Sequence, residues 1–177
     1  VGLGSGLAMN TLGASHFGLE DIAVMRTIPG MTVLCPADGL QIAKCVEASK
    51  HYDGPVYIRL SGGADIIYED DFDYEIGRSI VLKQGRDVAL IAAGSIVSQT
   101  LQAAHLLEEK GITCKVVDMH TIKPLDKDTL DSLTEYKLVV TVEEHNILGG
   151  LGSAVAEYYA HKKERPRQLM LGVNDFY

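Results

Sequence analysis

"DVALIAAGSIVSQTLQAAHLLEEKGITCKVVDM", residues 87–119, joins two apolar runs through a segment of helical period. "DVALIAA" is continuously apolar, as a strand is when helices cover both faces of its sheet. Beyond it Val97, Leu101 and Ala104 share one helical face; Ser95 stands where a cap belongs, and Gly111 follows the last periodic residue. "ITCKVVDM" is the second strand. A strand, a long helical crossover and a strand make a parallel unit. The alternation continues toward the C-terminus with "KPLDKDTLDSL", a short helix with Pro124 near its start. The strand "KLVVTVEE", the helix "GSAVAEYYAHKK" and a last strand "RQLMLG" follow. Residues 78–177 therefore read as one complete small α/β domain.

Toward the N-terminus the pattern is thinner. Residues 1–17 are glycine-rich and read as loop. "GLEDIAVMR" is a short helix with Glu20 and Asp21 in its first turn, where the helix dipole favours acids, and Pro29 and Gly30 end it. "MTVLC" is a buried strand. "ADGLQIAKCVEASK" is a helix with Asp38 as N-cap and Gln41 three residues on, and "GPVYIRL" is the next strand. Two strands bridged by one helix leave an open apolar edge. Residues 1–63 are thus a partial domain, whose missing strands are expected upstream or from another subunit. Between the two parts lies "ADIIYEDDFDYEIG", residues 64–77, with six acids and no base, which reads as an acidic connector. The expected fold class is α/β: three-layer sandwiches with mostly parallel sheets, one partial domain followed by one complete small one.

Bulk properties narrow the function. The chain has 177 residues, 46% apolar and 23% charged, and a formal charge of −8. With no basic patch, nucleic acid and anionic membrane are poor partners. No apolar run approaches the ~20 residues of a membrane span. Cys35, Cys45 and Cys114 are odd in number and widely spaced, against a disulfide framework or zinc site and in keeping with a reducing cytoplasm. The opening "VGLGSG", without an initiator methionine, suggests a piece of something longer.

Three positions invite chemistry. His16 lies in a glycine-bracketed turn just before a helix, and a connecting turn needs no imidazole. The backbone dipoles at a helix start would keep it neutral and able to donate or accept a hydrogen bond; the alternative is a histidine tying down loop carbonyls. Arg59 ends a strand, where ligands bind in open α/β sheets, so its guanidinium could grip a carboxylate or phosphate; the alternative is a salt bridge to the acidic connector. "GGLGSAV", residues 149–155, follows a strand and starts a helix, which is anion-site geometry, but a tight helix start explains the glycines and is the reading adopted. His145 also sits at a strand end and reads as structural. The other histidines show no ligand spacing, and neither a nucleophile elbow nor a reactive cysteine is evident.

Taken together, "GASHFGLEDIAVMRTIPGMTVLCPAD" (residues 13–38), "DGPVYIRL", "VVDMHTIKPLD" and "VTVEEHNILGGLGSAVAEY" resemble the transketolase family, in order and over essentially the whole chain. The resemblance implies a thiamine-diphosphate enzyme that transfers a ketol unit between sugars. This chain would carry the later half of its pyrimidine-binding domain and nearly all of its C-terminal domain. It further implies His16 as a catalytic residue beside the reactive carbon, and Arg59 and Ser15 as substrate-binding residues. The residues that bind the cofactor, and the Mg2+ site, are expected upstream of Val1, with no metal ligand in this chain. The implied partner is an N-terminal diphosphate-binding subunit or missing segment, in a homodimer or heterotetramer, and the chain alone is expected to be inactive. Leu12 stands where sugar-phosphate users commonly have Asp, and Gly4 where many have a phosphate-contacting His. That implies a different or unphosphorylated substrate. Competing readings are a deoxyxylulose-phosphate synthase-like chain, a 2-oxo acid dehydrogenase β-subunit-like chain, and a noncatalytic assembly module.

Overall fold

A computed structural model describes residues 4–8, 10–62 and 65–175. The first three residues of the glycine-rich opening and the junction at residues 63 and 64 lie outside these. After two 3-10 turns, Asn10–Leu12 and Ala14–His16, come α1 (Asp21–Thr27), β1 (Thr32–Leu34), α2 (Gly39–Ser49) and β2 (Val56–Ile58). The second part holds β3 (Ile80–Lys83), β4 (Val88–Ala93), α3 (Val97–Glu108), β5 (Cys114–Asp118), β6 (Thr121–Lys123), α4 (Lys127–Ser132), β7 (Leu138–Asn146), α5 (Leu151–Ala160) and β8 (Arg167–Val173).

The fold is α/β, as expected. The larger sheet has the order β3-β5-β4-β7-β8. Its four long members are parallel, and β3, not expected from the sequence, adds antiparallel at the edge, Val81 facing Val117. The smaller sheet has the order β2-β1-β6. There β1 runs parallel to β2, with Val33 opposite Tyr57, and antiparallel to β6, with Val33 opposite Lys123. One edge of β1 is therefore closed by a strand from the second part of the chain. Beyond β2 the described residues add a single parallel bridge, Ser5 to Ser61.

The core follows this exchange. Ile22, Val33 and Cys35 from the first part pack in one buried cluster with Ile91, Met119, Ile122 and Leu151 from the second. Full burial of such side chains contributes roughly 1.5–3 kcal/mol each, so the two parts stabilise one another. On the opposite face α3 packs over β4 and β5, with Leu90, Ala104 and Val116 buried.

Side-chain caps start two of the α-helices, α2 and α4. Asp38 Oδ1 accepts the Gln41 N–H at 2.8 Å, and Gln41 Oε1 accepts the Ala37 N–H at 2.6 Å, a reciprocal cap at the start of α2. Ser95 is not the cap expected for α3. Gly94–Ile96 form a 3-10 turn ahead of the helix, Ile96 takes the cap position, and the Ser95 hydroxyl donates elsewhere, to Glu144. The acidic stretch has no helix or strand in residues 65–77. Its six acids face solvent while Ile67, Tyr68, Phe72 and Tyr74 turn partly inward. Ile67 and Tyr68 donate their N–H groups to Asp38 Oδ2 at 3.0 and 2.8 Å, strapping the stretch to α2.

Candidate functional site

The loop that carries Ser15 and His16 is closed at its base. Gly6 and Gly18 exchange backbone hydrogen bonds, Gly6 N–H to Gly18 O at 2.9 Å and the reverse at 3.2 Å. Gly6 has φ +68°, and a Cβ there would stand 2.7 Å from Glu144 Cδ, so only glycine fits this approach. At the top of the loop the His16 N–H donates to Gly13 O at 3.0 Å. Its ring Nδ1 pairs with Ser15 Oγ at 3.0 Å. His16 is half-buried and Ser15 exposed. Among the described residues the His16 ring makes no other hydrogen bond, so Nε2 is available to a ligand.

His16 is not at the start of α1. That helix begins five residues on, and its first turn is met by a different imidazole: Ala23 N–H points at His145 Nε2, 3.3 Å away. His145 is fully buried, and its Nδ1 donates to Asn146 O at 2.6 Å, which fixes the tautomer. Burial pushes its pKa down, so it stays neutral. The helix-start field expected at His16 therefore falls on His145.

Arg59 lies at the end of β2, as expected, but its guanidinium is enclosed, the side chain only 1% exposed. Nε donates to Asp21 Oδ2 at 2.8 Å, and Nη2 donates to Gly18 O at 2.8 Å and Glu144 O at 2.9 Å. Its salt bridge is thus to α1 and not to the acidic connector. Tyr57 also donates to Asp21 Oδ2, at 2.8 Å, while Asp21 Oδ1 is buried without a partner among the described residues. Beside this group burial pushes the Cys35 thiol up to about 12, against the pull of Arg59.

The glycine turn after β7 is an anion site that the protein fills itself. Glu143 accepts the Leu151 and Gly152 N–H groups of α5 at 2.6 and 2.8 Å. A Cβ on Gly150 would come within 1.9 Å of that carboxylate. The glycines are there for a tight helix start.

Glu144, which sequence reading passed over, is the next residue of β7. Its carboxylate accepts the Leu7 N–H through Oε1 and the Ser95 hydroxyl through Oε2, each at 2.7 Å. No local pattern signals it, because its partners lie 137 and 49 residues away. A cavity of about 410 Å³ lies elsewhere, between α3 and the β4-β7-β8 face, and no titratable side chain lines it.

The chain matches two protein families in tandem: "Transketolase, pyrimidine binding domain" over residues 1–64 and "Transketolase, C-terminal domain" over residues 77–176. It is 42% identical over 160 residues to an apulose-4-phosphate transketolase subunit from Phocaeicola vulgatus, covering 89% of this chain and 51% of that protein. It is 36% identical over 168 residues to a 1-deoxy-D-xylulose-5-phosphate synthase of Chlorobium luteolum, covering 92% of this chain and 27% of that protein. Among solved structures it is similar to a "split gene transketolase, inactive beta4 tetramer", with a TM-score of 0.87 and 44% identity, covering 92% of this chain and 55% of that one. The chain spans about half the length of the transketolase subunits it matches.

Proposed function

The chain belongs to the transketolase family, and from that premise we propose that it is the C-terminal part of a ketol-transferring enzyme whose other part binds the cofactor diphosphate and its Mg2+. The observation that carries this reading is the His16 imidazole, held by Ser15 on a closed loop with Nε2 available.

When bound, thiamine diphosphate supplies the carbanion chemistry of ketol transfer. The residues present suit one wall of such a site. An imidazole can give or take a proton or hydrogen-bond a substrate oxygen, and Ser15 Oγ restrains its ring. Ser15 itself, exposed beside it, is placed to bind substrate. Arg59, sequestered from solvent by its own acceptors, serves substrate binding indirectly, by fixing Gly18 at the loop base. The metal and diphosphate need another wall. Among the described residues no group of three His, Cys, Asp or Glu could hold a metal ion, and the glycine-rich start of α5 is filled by Glu143. That the similar proteins are a transketolase subunit and a split gene transketolase supports an N-terminal diphosphate-binding partner, assembling into a dimer of such pairs. The similar solved structure is an inactive β4 tetramer, which fits a chain that needs that partner. Three buried free thiols suit a reducing cytoplasm. Leu12, 56% exposed on the loop four residues before His16, gives substrate hydroxyls no partner, favouring a substrate other than a plain pentose phosphate.

The test is reconstitution with the diphosphate-binding subunit, thiamine diphosphate and Mg2+, assayed on ketose donors. His16→Ala is expected to lower turnover by about 10²–10⁴, and the chain alone to show none. Unchanged turnover in that variant would leave a noncatalytic assembly module. The synthase relative favours a second reading, pyruvate decarboxylation; release of CO2 from pyruvate by the reconstituted complex, without ketol transfer, would select it.

A further inference from the structure

We infer that Glu144 is a positioning residue for His16, acting through hydrogen bonds and not through its charge; this rests on the reading above that His16 meets the substrate. Among the described residues of the loop between Leu7 and Phe17, the hydrogen bond to the rest of the protein is at its base. One side of that base is Leu7, whose N–H is held by Glu144 Oε1 at 2.7 Å. The other is Gly18, whose carbonyl is held by Arg59 Nη2 at 2.8 Å. Arg59 Nη2 also holds the Glu144 carbonyl, at 2.9 Å. The Glu144 side chain therefore holds one side of the loop base directly and its backbone shares Arg59 with the other, and the Gly6–Gly18 pair closes that base. Asn146 N–H, two residues along β7, takes the adjoining Leu19 carbonyl at 2.8 Å. Ser95 in turn holds Glu144 Oε2 at 2.7 Å, which stops the carboxylate from swinging. The absent Cβ of Gly6 makes room for that carboxylate. A strand in the larger sheet thus sets where a loop beside the smaller sheet presents its histidine.

The chemistry separates positioning from proton transfer. A glutamine at 144 can accept the Leu7 N–H through its carbonyl and donate its N–H to the Ser95 hydroxyl, which rotates to accept. Alanine can do neither. A loop released by this loss carries His16 off its line, and misplacements of about 1 Å cost on the order of 10²-fold in rate.

The reconstituted holoenzyme carrying Glu144→Ala is expected to lose about tenfold or more in kcat with KM within about twofold, and Glu144→Gln to stay within about threefold of the parent on both. Hydrogen exchange of the peptide spanning residues 5–19, read without substrate, should quicken in Glu144→Ala and not in Glu144→Gln. Should Glu144→Ala not assemble, Ser95→Ala removes one of the two carboxylate contacts and should loosen the same peptide with a smaller loss of kcat. Equal losses for Gln and Ala would mean that charge matters, and would overturn the inference. So would faster exchange without loss of kcat, or loss of kcat without faster exchange. An active His16→Ala enzyme would instead sink the functional reading, while the exchange result alone still decides whether Glu144 anchors the loop.

Discussion

At the scale of single residues, one histidine and one arginine show where sequence reading stops. His16 stands out in the sequence as an imidazole in a glycine turn, and the structure sets it half-buried on a closed loop. That α1 is met by His145 was not legible, since Ala23 and His145 lie 122 residues apart and only the fold brings the N–H to the ring. Arg59 was legible as a strand-end cation. Its partners, two carbonyls and one carboxylate, come from two stretches of chain, residues 18–21 and residue 144, 38 or more positions away, and leave no local trace. Lysine cannot reproduce that geometry, because a point charge on a flexible stem does not reach three fixed acceptors at once. Arg59→Lys should therefore destabilise the chain by about 3 kcal/mol, lowering the melting temperature by roughly 6–12 °C. A melting temperature within about 2 °C of the parent would show that the buried acceptors do not depend on the guanidinium.

At the scale of elements, long apolar runs and capped helices were readable and short edges were not. β4, β5, β7 and β8 are apolar enough to announce themselves, and α2 declares its start through Asp38 and Gln41. β3 is a partly exposed edge strand of four residues, and β6 is three residues ahead of Pro124; neither is long enough for a period. The turn from β5 into β6 also carries two buried titratable groups. Burial raises the Asp118 carboxyl to about 7, against hydrogen bonds from Tyr68 and Gln41. Burial lowers His120 to about 4. A raised carboxyl stabilises the fold fully below its ordinary value of 3.8 and loses that contribution as pH rises through 7. A lowered imidazole stabilises it above 6.5 and loses that as pH falls through 4. Between about pH 4 and 6.5 the folded and unfolded chains then bind the same number of protons at this pair, and its two slopes cancel. Relative to the parent, His120→Gln should make stability fall with rising pH in that window by about 1.4 kcal/mol per unit. Asp118→Asn should make it fall with falling pH. Denaturant titrations at pH 4.5, 5.5 and 6.5 measure both, and parallel curves for all three proteins would refute the pairing.

At the scale of the whole molecule, the acidic stretch separates two lengths of sequence without separating two bodies. Its solvent-facing acids make it accessible, while β6 and the shared core hold what lies on either side together. Cleavage between residues 69 and 73 by an Asp/Glu-directed protease should give two pieces on a denaturing gel that elute as one species in native size exclusion. Two separate native peaks would contradict the shared core. Residues 1–62 expressed alone should be insoluble, because without Ile122 and Met119 the inner face of β1 meets water.

The strand order sets terms for anyone recombining this chain with a relative. A hybrid joined at the obvious composition change would inherit an arm, Thr121–Lys123, shaped for one parent's Val33 and Leu34 and laid against the other's. The seam that must match is the ladder between β1 and β6, so crossover libraries should co-select those five positions as a single cassette wherever the joint itself is placed.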